Sequence, residues 1–174
     1  QSRWLRYGSL VYVQIVQGIP LLILMFVIYF GANILGLRGT PVLAAASAAI
    51  IIYASAFLGE IWRGCIQSVA KTQWEAAECL GLTRSQRMTR VILPQAARIA
   101  TPPTVGFLVQ IIKNTSLASA IGVVELAQAG KLINNSTFQP FIVFVLVAAI
   151  YFALCYPLSL WSRSLERKLN VGRG

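Results

Sequence analysis

Few side chains in this sequence can do chemistry, and the types that are absent narrow the choice. There is no histidine and no aspartate; the acids are Glu60, Glu75, Glu78, Glu125 and Glu166. No set of residues resembles a catalytic triad or a metal site, and no Gly-Lys-Ser/Thr loop is present to hold a phosphate. Cys65, Cys79 and Cys155 lack metal-ligand or redox spacing and read as small packing residues. What remains is recognition by charge and shape, at two places. One is the polar, Arg-rich stretch from Glu75 to Pro94. The other is Lys113-Asn114-Thr115-Ser116, which interrupts an apolar run.

The elements that must position these residues follow from composition. Of 174 residues 57% are hydrophobic and 11% charged, which is the membrane class and not an ordinary soluble domain. Uncharged windows cover 7–37, 39–59 and 132–162. Each exceeds the roughly 20 residues that cross a hydrocarbon core as a helix. Spans are expected at 11–35, 42–61, 100–124 and 141–161 of a single transmembrane domain covering 1–174. Residues 36–41 make a tight turn, with Thr40 placed to cap the second span and Pro41 suited to its first turn. The Ala- and Ser-rich second span suits close helix approach. Thr101-Pro102-Pro103 should open the third, and 131–140 should be a polar link.

Residues 63–98 form a structured elbow between spans. Thr72-x-x-Glu75 and Thr83-x-x-Gln86 both read as capping boxes, and Gly81 lies where a helix end tolerates left-handed backbone. Two short helices are expected, over 72–80 and 83–93, bent at Gly81 and stopped before Pro94. Arg84, Arg87 and Arg90 recur every third residue, to meet either anionic headgroups or acids on a partner.

The third span carries the sharpest membrane candidate. An ammonium at the bilayer centre costs about 2.5–3.5 kcal/mol on insertion scales, so Lys113 should face a partner or a wet cavity, or else snorkel from a half-helix to the interface. Glu60, three residues before Arg63, reads as an ion pair near the interface. Glu125 is either a group at the outer mouth or a solvated charge.

Orientation follows from the basic residues. With the elbow in the cytoplasm both ends of the chain are cytoplasmic too. Arg3 and Arg6, six residues of 63–98 and the tail residues Arg163, Arg167, Lys168 and Arg173 then lie inside, against Arg38 and Lys131 outside. The net charge of +10 is explained by topology, and no nucleic-acid partner is expected.

Glu75-Ala76-Ala77, then Gly81, then Val91-x-Leu93-Pro94 resembles the cytoplasmic signature of permease subunits of bacterial ATP-binding-cassette (ABC) importers, with Val91 in place of the usual Ile. Gln17-Gly18-Ile19-Pro20-Leu21, Tyr29-Phe30-Gly31, Gly59-Glu60-Ile61-Trp62-Arg63-Gly64 and Lys113-Asn114-Thr115-Ser116-Leu117 through Gly122 resemble the polar-amino-acid branch, the histidine/glutamine/arginine type. That branch usually carries Arg-Gly-Thr-Pro at Gln17–Pro20 and Lys-Asp-Thr-Ser at Lys113–Ser116.

The resemblance covers nearly the whole chain and implies an all-α, type I importer bundle in the bacterial inner membrane. Five spans are usual there; four are expected here, the first lying upstream of Gln1. It implies that Glu75, Ala76, Ala77, Gly81, Arg84, Leu93 and Pro94 dock a separate ATPase subunit, which holds the ATP and Mg; this chain would carry no cofactor. It also implies a periplasmic or lipid-anchored amino-acid-binding protein and a second permease subunit, identical or homologous. Lys113, Asn114, Thr115 and Ser116 would line the substrate path. Glu75 and Gly81 also have purely local readings, as a capping residue and a helix end. The alternative function is an ion-coupled carrier or channel working without ATP, which generally keeps acids in mid-membrane.

Overall fold

The computed structural model describes residues 3–37 and 39–171. Arg38, Arg173 and the side chain of Lys168 lie outside the described residues. Every regular element among those described is helical, as lipid demands of a chain that must close its backbone hydrogen bonds within each segment. By length and composition three helices can cross a membrane, or four if one bent pair counts as a single span.

That bent pair replaces the continuous span expected at 11–35. Helix α1 (Arg3–Gly18) and α2 (Leu21–Ile34) meet at an angle of 102°. Pro20 is the cause. It disfavours helical backbone at Ile19, and it sits in extended geometry itself (φ −57°, ψ 136°) while its carbonyl starts α2 by accepting from Leu24 N–H at 3.0 Å. Helix α3 (Val42–Gln67) follows the turn, and Thr40 Oγ1 donates back to Leu37 O at 2.8 Å.

Past α3 come α4 (Lys71–Cys79) and the one-turn α5 (Arg84–Gln86). The chain then continues without a stop through a π-helical turn (Arg87–Ile92) into α6 (Leu93–Asn114). Two expectations are corrected here: Pro94 does not end the elbow, and Pro102 and Pro103 lie inside α6 instead of opening it. Leu93 N–H still reaches back five residues to Met88 O. The widened turn thus lies immediately before the Pro94 ring, where an α-turn would press that ring on the Arg90 carbonyl. Side-chain donors gather around the prolines: Gln95 Nε2 on Val91 O (3.0 Å) and Thr101 Oγ1 on Ala97 O (2.8 Å).

The third span is not a helix over 100–124 either. After Asn114 the chain tightens into a 3₁₀ segment (Thr115–Ile121) that ends in left-handed backbone at Gly122. The polar link expected at 131–140 is mostly helix, α7 (Leu126–Thr137). Its buried Gly130 faces the next helix. Helix α8 (Pro140–Val171) passes through Pro157 and runs beyond the expected 141–161.

The chain divides into two compact units, residues 1–57 with 108–157, and residues 58–107 with 158–174. The first has its core where α2 lies on α3 and on the 3₁₀ segment: Leu21, Met25, Ala46, Ala49, Ala118 and Ile121. Alanine on α3 lets the backbones approach, which drives association in lipid where apolar burial alone does not. Tyr12 Oη adds a donor to Ile52 O at 2.9 Å, tying α1 to α3. The second unit is centred on Val69, Ile92 and Ala96, with Trp74 and Met88 against them. There Ser162 Oγ of α8 donates to Pro102 O of α6 at 2.9 Å. Phenylalanines and leucines along α8 stay exposed, as a lipid-facing helix requires.

A Cβ at Gly130 would stand 2.7 Å from Val147 Cγ2 of α8. Gly130→Val is expected to destabilise the first unit by about 1–3 kcal/mol through overpacking. A lowered thermal midpoint in detergent, partly restored by adding Val147→Ala, is the measurement that checks this.

Candidate functional site

The elbow is built from the burial of Val69. That side chain enters the core of the second unit, so the chain passes Ala70 in extended geometry and α4 begins at Lys71. Ala70 caps it without a side-chain bond, which corrects the capping box expected at Thr72. Thr72 lies inside the first turn, and Glu75 pairs with Lys71 one turn back (3.2 Å). Both ends of that pair are exposed, so Glu75 keeps most of its surface for another molecule.

At the other end of α4 the backbone closes on itself. Gly81 N–H donates to Glu78 O (2.9 Å) and Leu82 N–H to Ala77 O (3.2 Å), with Gly81 at φ +69°. This is the double bond pattern that ends a helix around a left-handed residue. Two residues on, the expected capping box is present: Gln86 N–H donates to Thr83 Oγ1 (3.4 Å) and Thr83 N–H to Gln86 Oε1 (3.0 Å). The junction of the two helices is therefore fixed by bonds at Ala77, Glu78, Gly81, Leu82, Thr83 and Gln86.

One ion pair ties them together, and it was not foreseen. Arg87 Nη1 donates to Glu78 Oε2 at 2.8 Å, with the arginine side chain only 19% exposed. The three arginines are thus not one free stripe. Arg87 is committed inside the elbow, while Arg84 and Arg90 are exposed. The π-helical turn is the reason, since an every-third-residue stripe assumes α-helical pitch. Glu75, Ala76, Glu78, Leu80, Arg84 and Pro94 are exposed, Leu93 is half-buried and Ala77 is buried as a packing contact. Gln95 Nε2 also reaches Gln73 Oε1 at 3.1 Å, a second tie across the elbow. At the end of α3, Arg63 forms the expected ion pair with Glu60 and adds a bond to Gln67 Oε1 at 2.7 Å.

The second place is the end of α6. Lys113 lies in its last turn, exposed, one residue before the helix stops. Thr115 Oγ1 donates to Ile112 O and Ser116 Oγ to Lys113 O, both at 2.7 Å, closing carbonyls that the helix end leaves open. Asn114 Oδ1 accepts from Gln110 Nε2 at 3.1 Å. Gln110 escaped the sequence reading, although a polar pair four residues apart inside an apolar run is a readable signal. Glu125 is held within the chain and is half-buried, not a freely solvated charge. It caps α7, accepting from Ala127 N–H (2.9 Å) and Gln128 N–H (2.8 Å), and takes a third bond from Tyr151 Oη (2.8 Å). Nothing in the sequence links Glu125 to a tyrosine so far along the chain.

The family model described as "Binding-protein-dependent transport system inner membrane component" matches residues 1–171. The chain belongs to this family. Within it, the permease is similar to a probable amino-acid ABC transporter permease of Bacillus subtilis strain 168 (YckA), 39% identical over 164 residues, which are 94% of this chain and 72% of that protein. It is also similar to a probable glutamine ABC transporter permease of the same organism (GlnM), 39% identical over 166 residues, 95% of this chain and 76% of the relative. Among solved structures, the crystal structure of an amino acid ABC transporter with histidines superposes with a TM-score of 0.85 at 32% identity, covering 90% of this chain and 73% of that one. The expected family and the all-helical membrane fold are both borne out.

No atom lies within 4 Å of a Cβ built at Gly81, so the cost of a side chain there is set by the backbone alone. Gly81→Ala should destabilise the elbow by about 1–2 kcal/mol, the penalty of left-handed backbone for an L-residue. Gly81→Asn should recover part of it. Amide hydrogen exchange over 71–92 reads the difference; equal protection in glycine and alanine forms would contradict it.

Proposed function

We propose that this permease is the membrane subunit of an ATP-driven importer for polar amino acids, coupled to a separate ATPase through the elbow around Gly81. The carrying observation is mechanical. Two short helices are joined by a left-handed turn, a capping box and an Arg87–Glu78 ion pair, and they present an exposed face of Glu75, Ala76, Leu80 and Arg84. A rigid bent pair transmits the displacement of an attached motor, whereas a floppy loop would absorb it.

In this reading the elbow and both chain ends lie in the cytoplasm of a bacterial cell, which accounts for the surplus of basic residues there. Glu75, Ala76, Ala77, Gly81, Arg84, Leu93 and Pro94 form or support the docking face. ATP and Mg are held by the ATPase, not by this chain. A periplasmic or lipid-anchored binding protein delivers the amino acid to the outer side. Two permease subunits, identical or homologous, enclose the path, and Lys113, Asn114, Thr115 and Ser116 line it. Nucleotide-driven closure of the ATPase pair moves the elbow, and alternating access follows from that movement. The names of the relatives, amino-acid and glutamine permeases, support the substrate class. An ion-coupled carrier fits less well, because the one acid in the sequence of the first unit, Glu125, is used as a helix cap and accepts from Ala127, Gln128 and Tyr151.

Ala76 is exposed on regular α4 backbone, so a bulky side chain there strains nothing within the chain. Ala76→Trp is expected to abolish co-purification of the ATPase and ATP-dependent uptake while folding stability shifts by no more than about 0.5 kcal/mol. Retention of the ATPase by both Ala76→Trp and Leu80→Arg would defeat the docking assignment. Uptake that persists without ATP while the membrane potential is intact would favour the carrier.

A further inference from the structure

Glutamine is an awkward residue for a membrane, and α1 carries two at depth. Rising about 1.5 Å per residue, Gln14 stands about 12 Å beyond Arg6 and Gln17 about 16 Å, near the middle of a hydrocarbon core about 30 Å thick. The neighbouring helix gives the same depth. Tyr12 Oη, about 9 Å beyond Arg6, lies 2.6 Å from Ser55 Oγ of α3, and Ser55 is itself about 7–8 Å from Glu60 near the interface. At about 100° per residue, Leu10, Gln14 and Gln17 fall within about 60° of one another around α1. They lie about 150° from Tyr12 and Val16, the side that α1 turns toward the protein. All three are exposed. Tyr12 and Ser55, at a similar level, both donate to Ile52 O. Gln14 and Gln17 have no hydrogen-bond partner among the described residues. Each amide carries two N–H donors and a carbonyl acceptor, which lipid leaves unanswered; another protein surface or water must meet them.

We infer that the Leu10, Gln14 and Gln17 stripe of α1 is a contact with a second copy of this chain, in which the amides of one copy bond those of the other across a two-fold axis. A contact of that symmetry places a surface against itself, so the surface must be self-complementary. An amide meets the requirement because donor and acceptor sit on one group, whereas a stripe of like charge would repel its copy. In lipid, side-chain amides join helices where apolar burial alone gives no driving force. The inference rests on the importer reading above, which calls for two permease subunits. It adds which helix joins them, and that the two are copies of one chain.

The test uses the full-length permease in membranes with its ATPase and binding protein, after Cys65, Cys79 and Cys155 are replaced by alanine. Two forms carrying different tags are co-expressed, each with one added cysteine: Gln14→Cys, Gln17→Cys or, on an exposed apolar side of α1, Ile15→Cys. Mild oxidation or a short bifunctional maleimide should link two permease chains in Gln14→Cys or Gln17→Cys, and the linked band should contain both tags. Ile15→Cys should give no such band. An intact complex in which neither glutamine position links two tagged copies overturns the inference, and so does linkage that Ile15→Cys matches. If both unlinked cysteines react with a membrane-impermeant thiol reagent, the stripe lines a water-filled path instead. ATP-independent uptake by the cysteine-free parent overturns the importer reading and leaves the contact to be decided by linkage alone.

Discussion

Inside a bilayer no water relieves an unpaired carbonyl or amide, so a helix can be interrupted only where the protein itself supplies partners. The breaks in this chain are ordered by that constraint. At Ile19–Pro20 the chain bends through 102° and restarts at once from the Pro20 carbonyl. After Asn114 two hydroxyls close the open carbonyls, a 3₁₀ segment carries the chain on, and Glu125 caps the next helix with both carboxylate oxygens. At Gly81, outside the longest apolar runs, the same closure is achieved by backbone alone. Places where a helix stops are thus the places where polar side chains concentrate, and both proposed functional regions are such places.

The sequence made the large features readable because charge is expensive in lipid. Uncharged windows located α3 and α8, and the Thr83–Gln86 capping box and the turn at Gly81 were readable because their bonds are local. What escaped was of two kinds. Proline rules predict a stop at 94 and a start at 101–103, yet α6 runs through all three prolines with a π-helical turn and added side-chain donors to relieve them. The same rule held at Pro20, which does break its span. The difference lies in the residues beside the ring: a π-helical turn and side-chain donors accompany the prolines of α6. The second kind is long-range pairing. Arg87 with Glu78, Glu125 with Tyr151 and Ser162 with Pro102 join residues whose separation carries no period. Thr72 failed as a cap for a related reason: burial of Val69 fixed where α4 begins.

The proposed docking face and the proposed path use charge in opposite ways. In the elbow, charges are mostly paired within the chain, and the pairs give rigidity more than attraction, since exposed ion pairs contribute little individually. Arg87 and Glu78 serve to fix an angle. At the end of α6 two hydroxyls close helix carbonyls, and the exposed Lys113 ammonium has no partner among the described residues. The first arrangement suits a lever and the second suits a ligand.

The π-helical turn over Arg87–Ile92 carries one more residue per loop than its α-helical neighbours. It works as an inserted phase offset. Deleting a single residue there would leave composition and hydropathy almost untouched, yet it would rotate every position from 93 to 107 by about 100° about the helix axis relative to Arg84. Apolar residues that now fill the core around Ile92 and Ala96 would swing outward, and Arg98 would swing in. Such a lesion would look silent to any inspection of composition and would be ruinous to the protein. The chain length between its bend and its third helix is therefore under tighter control than the identity of most residues along it.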